Sequence, residues 1–369
     1  MKFTVSRDAL VSALQLVAGV VERRSTMPVL SNVLLKVEGQ QLTLVGTDLE
    51  VELVGRVKLI EPAIEGAITV PGKKFVDIAK SLPDDAMISM MKEGDRMVLR
   101  SDRSRFNLAT LPADEFPASQ DMENDLRGAV TLVQKDLRQV MDATAFSMAV
   151  SDVRYYLNGM LFEVHNDRLR TVATDGHRLS TADVMARSDV ESPVQVIVPR
   201  KGVMELSRLI APSEQEVTVH ITQNHIRVDS GDFTFTSKLV DGRFPDYQRV
   251  IPQGGENEMV ADRQTLRAVL TRASILTNEK FRSVRFIIED NNLQILANNP
   301  EQEEAEENMA VDYQNAPMDV AYNVGYIQDV LGAVEGEQVV FTLDANASTI
   351  IRDFDAPERA TYVVMPMRL

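Results

Sequence analysis

The chain has 369 residues, 44% of them hydrophobic, no cysteine and a formal net charge of −16 at pH 7, so two or three domains with buried cores are expected at roughly 150 residues per domain. The absence of cysteine excludes disulfides and thiolate chemistry, which is compatible with the cytoplasm, and no apolar run reaches the roughly 18 residues of a membrane-spanning helix. The acidic balance argues against a protein that holds nucleic acid by overall electrostatic attraction, because neutralising phosphates is the main source of such affinity.

A short strand followed by a helix is predicted near the N-terminus, within KFTVSRDALVSALQLVAGVV. Its apolar residues recur at the spacing of one helical face: Leu10, Ala13, Leu14, Val17 and Val21. The segment 9–21 is apolar and follows Lys2 and Arg7, so it also resembles a secretory signal peptide. Its helical period, and two further copies of the pattern along the chain, favour a structural helix.

The same pattern of a short strand followed by an amphipathic helix occurs three times. The second copy, residues 129–148, has a polar break at 134–136 before the helix, and the third begins near Met259. The leading leucines of the three helices lie 127 and 129 residues apart, the size of one ordinary domain, and are Leu10, Leu137 and Leu266. The pattern therefore predicts three domains, at 1–127, 128–255 and 256–369.

Each third continues with alternating apolar and polar runs that predict antiparallel strands joined by tight turns. The strand candidates are 33–37, 42–45, 50–57, 159–164, 169–173, the region near Ala182, 284–288, 293–297 and 309–311. A second strand leads into a second helix in each third, at 73–82, 201–210 and 326–334, with more strands at 88–111, 217–240 and 339–365. The predicted fold class is therefore α+β, with three similar domains that are each a pseudo-duplicated unit.

Several segments resemble one family of proteins. They are Val153–Phe162 (VRYYLNGMLF), Thr174–Arg178 (TDGHR), Phe244–Tyr247 (FPDY), Asn298–Glu307 (NNPEQEEAEE) and Val363–Leu369 (VVMPMRL). Over essentially its whole length, the chain resembles the bacterial DNA sliding clamps, the beta subunits of the DNA polymerase III holoenzyme. The resemblance implies a head-to-tail homodimeric ring, with helices lining the inside, antiparallel sheets outside, and duplex DNA of any sequence threading the hole.

The resemblance also implies a cytoplasmic, non-catalytic processivity factor without a cofactor or metal. It would tether the replicative polymerase, the clamp loader and other partners that carry short clamp-binding peptides. A ring that is linked topologically to DNA needs little affinity, so an acidic exterior and a modestly basic lumen would let it slide. Basic residues on the predicted helices fit such a lumen or, alternatively, an ordinary solvated face: they are Lys73, Lys74, Lys80, Arg263, Arg267 and Arg272.

Five DNA-contacting positions are implied by the resemblance: Arg24, Lys73, Tyr155, Tyr156 and Lys201. Arginine and lysine would reach phosphate oxygens without reading a base sequence. The two tyrosines would stack on bases or pack as half-buried strand residues, and neighbours on a strand face opposite ways. The chain departs from the family pattern at Ser151, where a contacting Gln is expected, and at Lys73, where many relatives have Arg.

A partner-peptide pocket between the second and third domains is also implied by the resemblance. Apolar walls with adaptable methionines suit an extended peptide that carries Leu or Phe. An ordinary C-terminal edge strand at 363–367 is the alternative. The implied pocket residues are Leu157, Thr174, Gly176, His177, Arg178, Leu179, Pro245, Arg249, Val250, Asn323, Tyr326, Thr349, Val363, Met365, Pro366, Met367 and Arg368.

The subunit joint of the implied ring pairs two different surfaces head to tail. One surface contains Arg103, Arg105, Phe106 and Leu108, and it would meet Ile275 and Leu276 of a second copy. The acidic run would face the arginines and fix register, or else it is a solvated loop: its members are Glu301, Glu303, Glu304, Glu306 and Glu307.

Two other classes of function fit the sequence less well. An enzyme is disfavoured because the chain has no GxSxG, HExxH, Walker or GxGxxG motif, although His177 lies two residues from Asp175. The four histidines lack metal-ligand spacing. An acidic adaptor that binds peptides at 174–179 and 363–369 without encircling DNA remains the alternative, and separate outward basic patches would favour it.

Overall fold

The computed structural model describes residues 1–21, 27–117, 125–255, 257–344 and 348–368. The chain forms two compact units. Unit 1 contains Met1–Gln134 and Met204–Leu239, and unit 2 contains Lys135–Val203 and Val240–Leu369. Among the described residues, no helix is long and apolar enough to cross a membrane.

Six α-helices lie in the described part of the chain, and each begins directly after a strand. They are α1 Arg7–Val17, α2 Gly72–Ser81, α3 Gln134–Ala145, α4 Arg200–Leu209, α5 Arg263–Ala273 and α6 Val324–Ala333. Three of the junctions carry a side-chain cap, in which Ser6, Asp262 or Asn323 accepts a bond from a main-chain N–H of the first turn. The six predicted helices are thus confirmed.

Two predicted helix boundaries were wrong. The polar break at 134–136 is the first turn of α3, because polar residues suit the exposed N-terminal turn of a helix as well as a loop. Helix α1 ends at Val17, so Val21 lies beyond it and is only half-buried.

The strands are short and numerous. They are β1 Lys2–Ser6, β2 Asn32–Glu38, β3 Gln41–Thr47, β4 Val51–Lys58, β5 Gly66–Pro71, β6 Met87–Glu93, β7 Arg96–Ser101, β8 Ser104–Ala109, β9 Leu126–Val133, β10 Gly159–Val164, β11 Arg168–Thr174, β12 Arg178–Met185, β13 Arg187–Ser188, β14 Val194–Pro199, β15 Glu216–Thr222, β16 His225–Asp229, β17 Phe233–Lys238, β18 Asn257–Asp262, β19 Ser283–Glu289, β20 Asn292–Asn298, β21 Glu304–Ala310, β22 Met318–Asn323, β23 Gln338–Leu343, β24 Thr349–Asp353 and β25 Ala360–Val364.

Unit 1 contains two runs of antiparallel strands. One sheet has the order β1-β6-β7-β8, and the other run has the order β9-β15-β16-β17-β4-β3-β2-β5. In the second run β17 pairs with β4, with Phe233 opposite Gly55. Strands from the middle third of the chain therefore continue a sheet that begins in the first third.

Unit 2 repeats this arrangement. Its sheets have the orders β14-β10-β11-β12-β25-β24-β23-β18 and β21-β20-β19-β22. In the longer sheet β12 pairs with β25, with Leu179 opposite Val363. Antiparallel sheets with helices packed on them confirm the α+β fold class.

The apolar face of each helix lies in the core. The leading leucines Leu10, Leu137 and Leu266 are 0% exposed, and burying one such side chain contributes about 1.5–3 kcal/mol. In the last third, Leu266 belongs to one cluster with Phe286 and Phe341. The periodicity of the sequence thus reports which side of each helix meets the sheets.

Candidate functional site

Tyr155 and Tyr156 lie on a short 3-10 turn, Tyr155–Leu157, so the alternative that they are strand residues was wrong. Their rings meet edge to face, with centroids 5.8 Å apart. Tyr155 is 57% exposed, whereas Tyr156 packs against buried apolar residues of unit 2. One ring is therefore available to a ligand and the other is largely structural.

A set of polar bonds braces the loop before this turn. The Asp152 N–H donates to Asn158 Oδ1 at 2.8 Å, and Asn158 Nδ2 donates to the Asp152 carbonyl at 2.8 Å. Arg154 donates from Nε and Nη2 to the Asp152 carboxylate at 3.0 and 2.8 Å. These side-chain bonds from Arg154 lower the pKa of Asp152 to about 2.

Arg154 also joins the tyrosine turn to the neighbouring turn at 174–178. Its Nη2 donates to the Asp175 carbonyl at 3.2 Å. A Cβ at Gly176 would lie 3.0 Å from the same nitrogen, and the φ of Gly176 is +91°, so glycine suits this position on both counts. Sequence reasoning missed the roles of Asp152, which directly precedes the VRYYLNGMLF segment, and of Arg154, which is its second residue.

The turn at 174–178 is closed by its own side chains. Thr174 Oγ1 donates to the Arg178 carbonyl at 2.6 Å and accepts from the Gly176 N–H at 3.1 Å. Asp175 Oδ1 accepts the N–H groups of His177 and Arg178 at 2.8 and 3.0 Å. Asp175 therefore shapes the turn, while the imidazole of His177 is exposed.

Arg178 connects this turn to α3 and α6. Its guanidinium donates to Asp175 at 3.1 Å, to Asp329 at 2.5 Å and to the Phe146 carbonyl at 2.5 Å. It also lies 4.5 Å from the centroid of the Tyr326 ring. The side chain is 12% exposed, so Arg178 organises the site and leaves only an edge of its guanidinium to a ligand.

An apolar cluster lies beside this turn. Its buried members are Leu161, Val172, Leu179, Ile197, Phe244, Tyr247 and Val363, and half-buried Tyr156, Val240 and Ile251 pack against them. Nearby in sequence, Val250 is 39% exposed and Met365 is 38% exposed. The structure thus brings Leu179 and Val363 together, as the resemblance implied, and adds Phe244 and Tyr247, whose signal was the FPDY segment.

A polar network fixes Tyr247. Its hydroxyl donates to Glu163 at 3.0 Å and accepts from Arg170 at 3.1 Å. Arg170 in turn donates to the Asp183 carboxylate at 2.8 and 3.0 Å. Burial raises the pKa of the Tyr247 hydroxyl, which therefore remains a donor and holds the segment that contains Pro245, Arg249 and Val250.

The C-terminal segment is held on both sides. Strand β25 pairs with β12 and with β24, so the alternative of an edge strand was wrong, because long-range pairing cannot be inferred from local pattern. The N–H groups of Met365 and Met367 donate to the carbonyls of His177 and Ala321 at 2.9 and 2.8 Å. Pro366 and Met367 are half-buried, and Arg368 is exposed.

The remaining pocket positions differ in access. Leu157 is 2% exposed and Thr349 is 0% exposed, and Thr349 Oγ1 lies 2.5 Å from the Tyr322 hydroxyl. Asn323 caps α6 by accepting the Gly325 N–H at 2.9 Å. Arg249 is 85% exposed and pairs with Asp246 at 2.7 Å. The buried side chains Leu157 and Thr349 therefore support the site from below, whereas Arg249 lies at its exposed rim.

The basic candidates for DNA contact lie on helix starts. Lys73 and Lys201 are each the second residue of a helix, α2 and α4, and both are exposed. The Arg200 N–H donates to the Asn158 carbonyl at 2.9 Å, which places the start of α4 beside the tyrosine turn. Arg24 lies outside the described residues. Ser151 has a φ of +57° and directly precedes Asp152, whose hydrogen bonds hold the loop before the tyrosine turn.

The three arginines of α5 are not equivalent. Arg263 donates to the carbonyls of Gly336 and Leu331 at 2.6 and 3.2 Å. Arg272 forms a bidentate salt bridge with Glu307, with N–O distances of 2.6 and 2.7 Å, and these hydrogen bonds lower the pKa of the Glu307 carboxyl. Arg267 is exposed beside an open depression on the helix that Gln264, Ala268 and Thr271 also line. Of the three, Arg267 best fits a phosphate contact.

The residues of the implied subunit joint lie on one strand and one turn. Strand β8 is the edge of its sheet, and it carries exposed Arg105 and half-buried Phe106, whereas Leu108 is 5% exposed and belongs to the core of unit 1. Arg103 is exposed in the turn before β8. Ile275 is 75% exposed on the short turn that follows α5, and Leu276 beside it is half-buried.

The acidic run is half turn and half strand. Glu301 and Glu303 are exposed in a turn, while Glu304, Glu306 and Glu307 belong to β21, the edge of its sheet. The alternative of a solvated loop was therefore wrong for the second half. Alternation along β21 turns Glu307 toward α5 and leaves Glu304 and Glu306 outward.

Three family models cover nearly all of this chain. The models for the N-terminal, central and C-terminal domains of the DNA polymerase III beta subunit match residues 1–120, 131–246 and 248–368. The chain belongs to the DNA polymerase III beta subunit family. Sliding clamps of this family are non-catalytic processivity factors. In the part of the chain that the structure describes, no group of three or more His, Asp or Glu side chains could hold a metal ion.

Individual relatives match over full length. The beta sliding clamp of Pseudomonas putida is 53% identical over 370 residues, and that of Escherichia coli K12 is 50% identical over 369 residues, with 100% of each chain covered. The solved sliding clamp of Pseudomonas aeruginosa bound to griselimycin has a TM-score of 0.97 at 53% identity. The Caulobacter crescentus pol III beta structure has a TM-score of 0.92 at 35% identity. Both structures are also covered in full.

Proposed function

We propose that this chain is a DNA replication processivity factor. Two copies join head to tail into a ring that encircles duplex DNA of any sequence and slides on it. The ring tethers the replicative polymerase, the clamp loader and other proteins that carry short clamp-binding peptides. The protein works in the cytoplasm and needs no cofactor.

The observation that carries the proposal is a pair of sheet edges of opposite charge, neither of which pairs with a further strand in the described part of the chain. Strand β8 ends one sheet of unit 1 and is accompanied by Arg103 and Arg105, and β21 ends one sheet of unit 2 and carries Glu304 and Glu306. An open edge strand invites pairing with another strand. Because the two edges differ, their union is heterologous, and it closes into a ring when the angle permits.

The apolar residues next to these edges support the same joint. Ile275 is 75% exposed, and half-buried Phe106 lies on β8. Opposed charges guide register, and the apolar contact supplies affinity. We assign to the joint Arg103, Arg105, Phe106, Leu108, Ile275, Leu276, Glu301, Glu303 and Glu304.

The acidic net charge of −16 fits this function. Topological linkage retains the ring on DNA, so only a few cations are needed to contact phosphates, and strong attraction would impede sliding. We assign these contacts to Arg24, Lys73 and Lys201, with Tyr155 and Tyr156 stacking on or supporting exposed bases. Sequence independence follows because phosphate contacts carry no base code.

The peptide site is assigned to the turn at 174–178 and the apolar cluster beside it. Leu179 and Val363 form its apolar floor, Val250 and Met365 form its rim, and Arg178 fixes its shape. A leucine or phenylalanine from an extended peptide fits such a surface. The other pocket positions named from the resemblance are retained as the boundary of this site, as are the domain limits 1–127, 128–255 and 256–369.

Retention on DNA tests the function. The protein would be loaded by its clamp loader on nicked circular plasmid and on the same plasmid linearised, and both samples washed at moderate salt. We expect retention on circles and loss from linear ends. Equal loss from both, with a monomeric native mass, would leave the peptide-binding adaptor instead. Equal, salt-sensitive retention on both would indicate ordinary electrostatic binding.

A further inference from the structure

The three thirds of the chain can be compared position by position through their helices. The leading leucine is the fourth residue of α1, α3 and α5 alike. By this count Gly19, Phe146 and Ile275 are equivalent, each lying just beyond the end of its helix. In the second helices, the sixth residue is acidic in all three cases, and these residues are Asp77, Glu205 and Asp329.

In unit 1, the end of α1 is closed by a cation from α4. Arg208 donates from Nη1 and Nη2 to the carbonyls of Gln15 and Leu16 at 3.2 and 3.0 Å. Glu205 holds the same guanidinium at 3.0 Å. Helix α1 has no basic residue in its own last turn, so Arg208 supplies the positive charge that the end of a helix attracts.

In unit 2, the end of α3 is closed in a similar way. The Phe146 carbonyl accepts a bond from Arg178 at 2.5 Å, and Asp329 of α6 holds that arginine. The ninth residue of α6 is Gly332, which cannot supply a cation, and the arginine comes from β12 instead. Both internal joints therefore combine a helix end, a cation and the acidic sixth residue of a second helix.

At the end of α5, no second helix among the described residues of the same chain supplies the cation and the acidic residue found at the ends of α1 and α3. At the end of α5, Ile275 is 75% exposed, although its equivalent Phe146 packs against the core of the last third. The unmatched second helix is α2, where Asp77 and Lys80 are exposed and form no ion pair with a described residue. Lys80 is the ninth residue of α2, as Arg208 is of α4.

We propose that Lys80 closes the end of α5 in a second copy of the chain. Its ammonium donates to the carbonyls of Thr271 and Arg272, the equivalents of Gln15 and Leu16, and Asp77 lies beside it as Glu205 lies beside Arg208. Ser274 already donates to both carbonyls, but each oxygen has a second lone pair. This contact rests on the proposed ring and adds a helix-to-helix bond to its joint.

The test is the dissociation constant of the full-length dimer, measured by fluorescence-detected sedimentation on dilution. We expect Lys80→Ala to weaken the dimer about 3- to 10-fold, since a charged hydrogen bond and a helix-end interaction are lost. Lys80→Arg should bind at least as tightly as the wild type. The matched control is Lys58→Ala, which removes the same charge from an exposed position on β4 and should change the constant by less than about 2-fold.

The Ile275→Arg variant distinguishes failure of the Lys80 contact from failure of the proposed ring. If the wild type is a dimer that Ile275→Arg dissociates, but Lys80→Ala matches Lys58→Ala, then the ring stands and the Lys80 contact is wrong. If the wild type is monomeric at every concentration, the ring itself is wrong and the contact falls with it. Weakening by Lys80→Ala with recovery in Lys80→Arg supports the contact.

Discussion

At the scale of single residues, Arg178 does the most to define the peptide site. It bonds two carboxylates and a main-chain carbonyl that come from different segments of unit 2. Because the side chain is 12% exposed, its loss leaves Asp329 and the Phe146 carbonyl without their partner. The residue therefore couples the stability of the unit to the shape of the site.

We expect Arg178→Ala to lower the free energy of unfolding by about 3 kcal/mol and to weaken peptide binding. Arg249→Ala is the matched control, because Arg249 is 85% exposed. It should change stability by less than about 0.5 kcal/mol while still weakening the peptide. Urea unfolding and fluorescence anisotropy of a labelled Leu- and Phe-containing peptide measure the two effects. Equal stability of the two variants would contradict this role of Arg178.

The Asp152–Arg154 bond makes a pH prediction. The pKa of Asp152 is lowered from 3.8 to about 2 by the side-chain bonds from Arg154. Since the folded pKa is depressed, the bond contributes fully above about pH 4 and is lost as pH falls through about 2. The Asp152 carboxyl carbon, followed by NMR with labelled aspartate, should titrate near pH 2 and move back toward 3.8 in Arg154→Ala. An unchanged midpoint in that variant would contradict the assignment.

At the scale of elements, the approach of β10 to β14 depends on a glycine. A Cβ at Gly159 would collide with the Val198 carbonyl oxygen, which is main chain and cannot move aside. Gly159→Ala should therefore cost about 1–3 kcal/mol. Gly332 in α6 has nothing within 4 Å of its missing Cβ, so Gly332→Ala should stabilise by about 0.5–1 kcal/mol through helix propensity. Thermal unfolding of both variants tests this contrast, and equal shifts would refute it.

The presence of the helices and of most strands could be predicted from the sequence, but the conformation of several turns could not. Helices with apolar residues at one spacing, such as Leu266 to Ala273, reveal both their type and their buried face. A half-buried strand was one of two interpretations of Tyr155 and Tyr156, whereas bonds between Asp152, Arg154 and Asn158 hold these tyrosines on a turn. Those bonds depend on the positions of individual side chains, which the strand propensity of a residue type does not describe.

The candidate site was predictable only through the family resemblance. That resemblance named Arg178, Leu179 and Val363, which the structure brings together. It assigned no role to Arg154, Asp329 or Tyr247, which shape the site from behind. The supporting roles of Tyr247 and Asp329 could not be predicted, because their partners Arg170 and Arg178 lie far away in the sequence.

At the scale of the whole molecule, sequence repeats and compact units divide the chain differently. The pattern predicts three domains, yet the middle third is shared, since β17 pairs with β4 in unit 1 and β12 pairs with β25 in unit 2. Such pairings join strands from different repeats. A repeat period identifies the duplicated segment, but hydrogen bonding between repeats decides which segments pack together.

The charged edges make a prediction about assembly. Reversing both arginines before and on β8 (Arg103→Glu with Arg105→Glu) should dissociate the dimer, as should reversing Glu303 and Glu304 to arginine. A mixture of the two variants should re-form dimers, because each joint then pairs opposite charges. Salt should weaken the wild-type and mixed dimers, whose joints pair opposite charges, because it screens their attraction. Native mass spectrometry measures the composition. Dimers in each variant alone would contradict pairing of these edges.

The most direct test of the account is covalent closure of the ring around DNA. The chain has no cysteine, so Phe106→Cys with Ile275→Cys would give one reactive pair at each joint, to be bridged by a bis-maleimide after loading on covalently closed circular DNA. We predict that the bridged protein stays with the circle in SDS and is released when a restriction enzyme linearises the DNA. Release from the intact circle, despite complete bridging at both joints, would contradict encirclement.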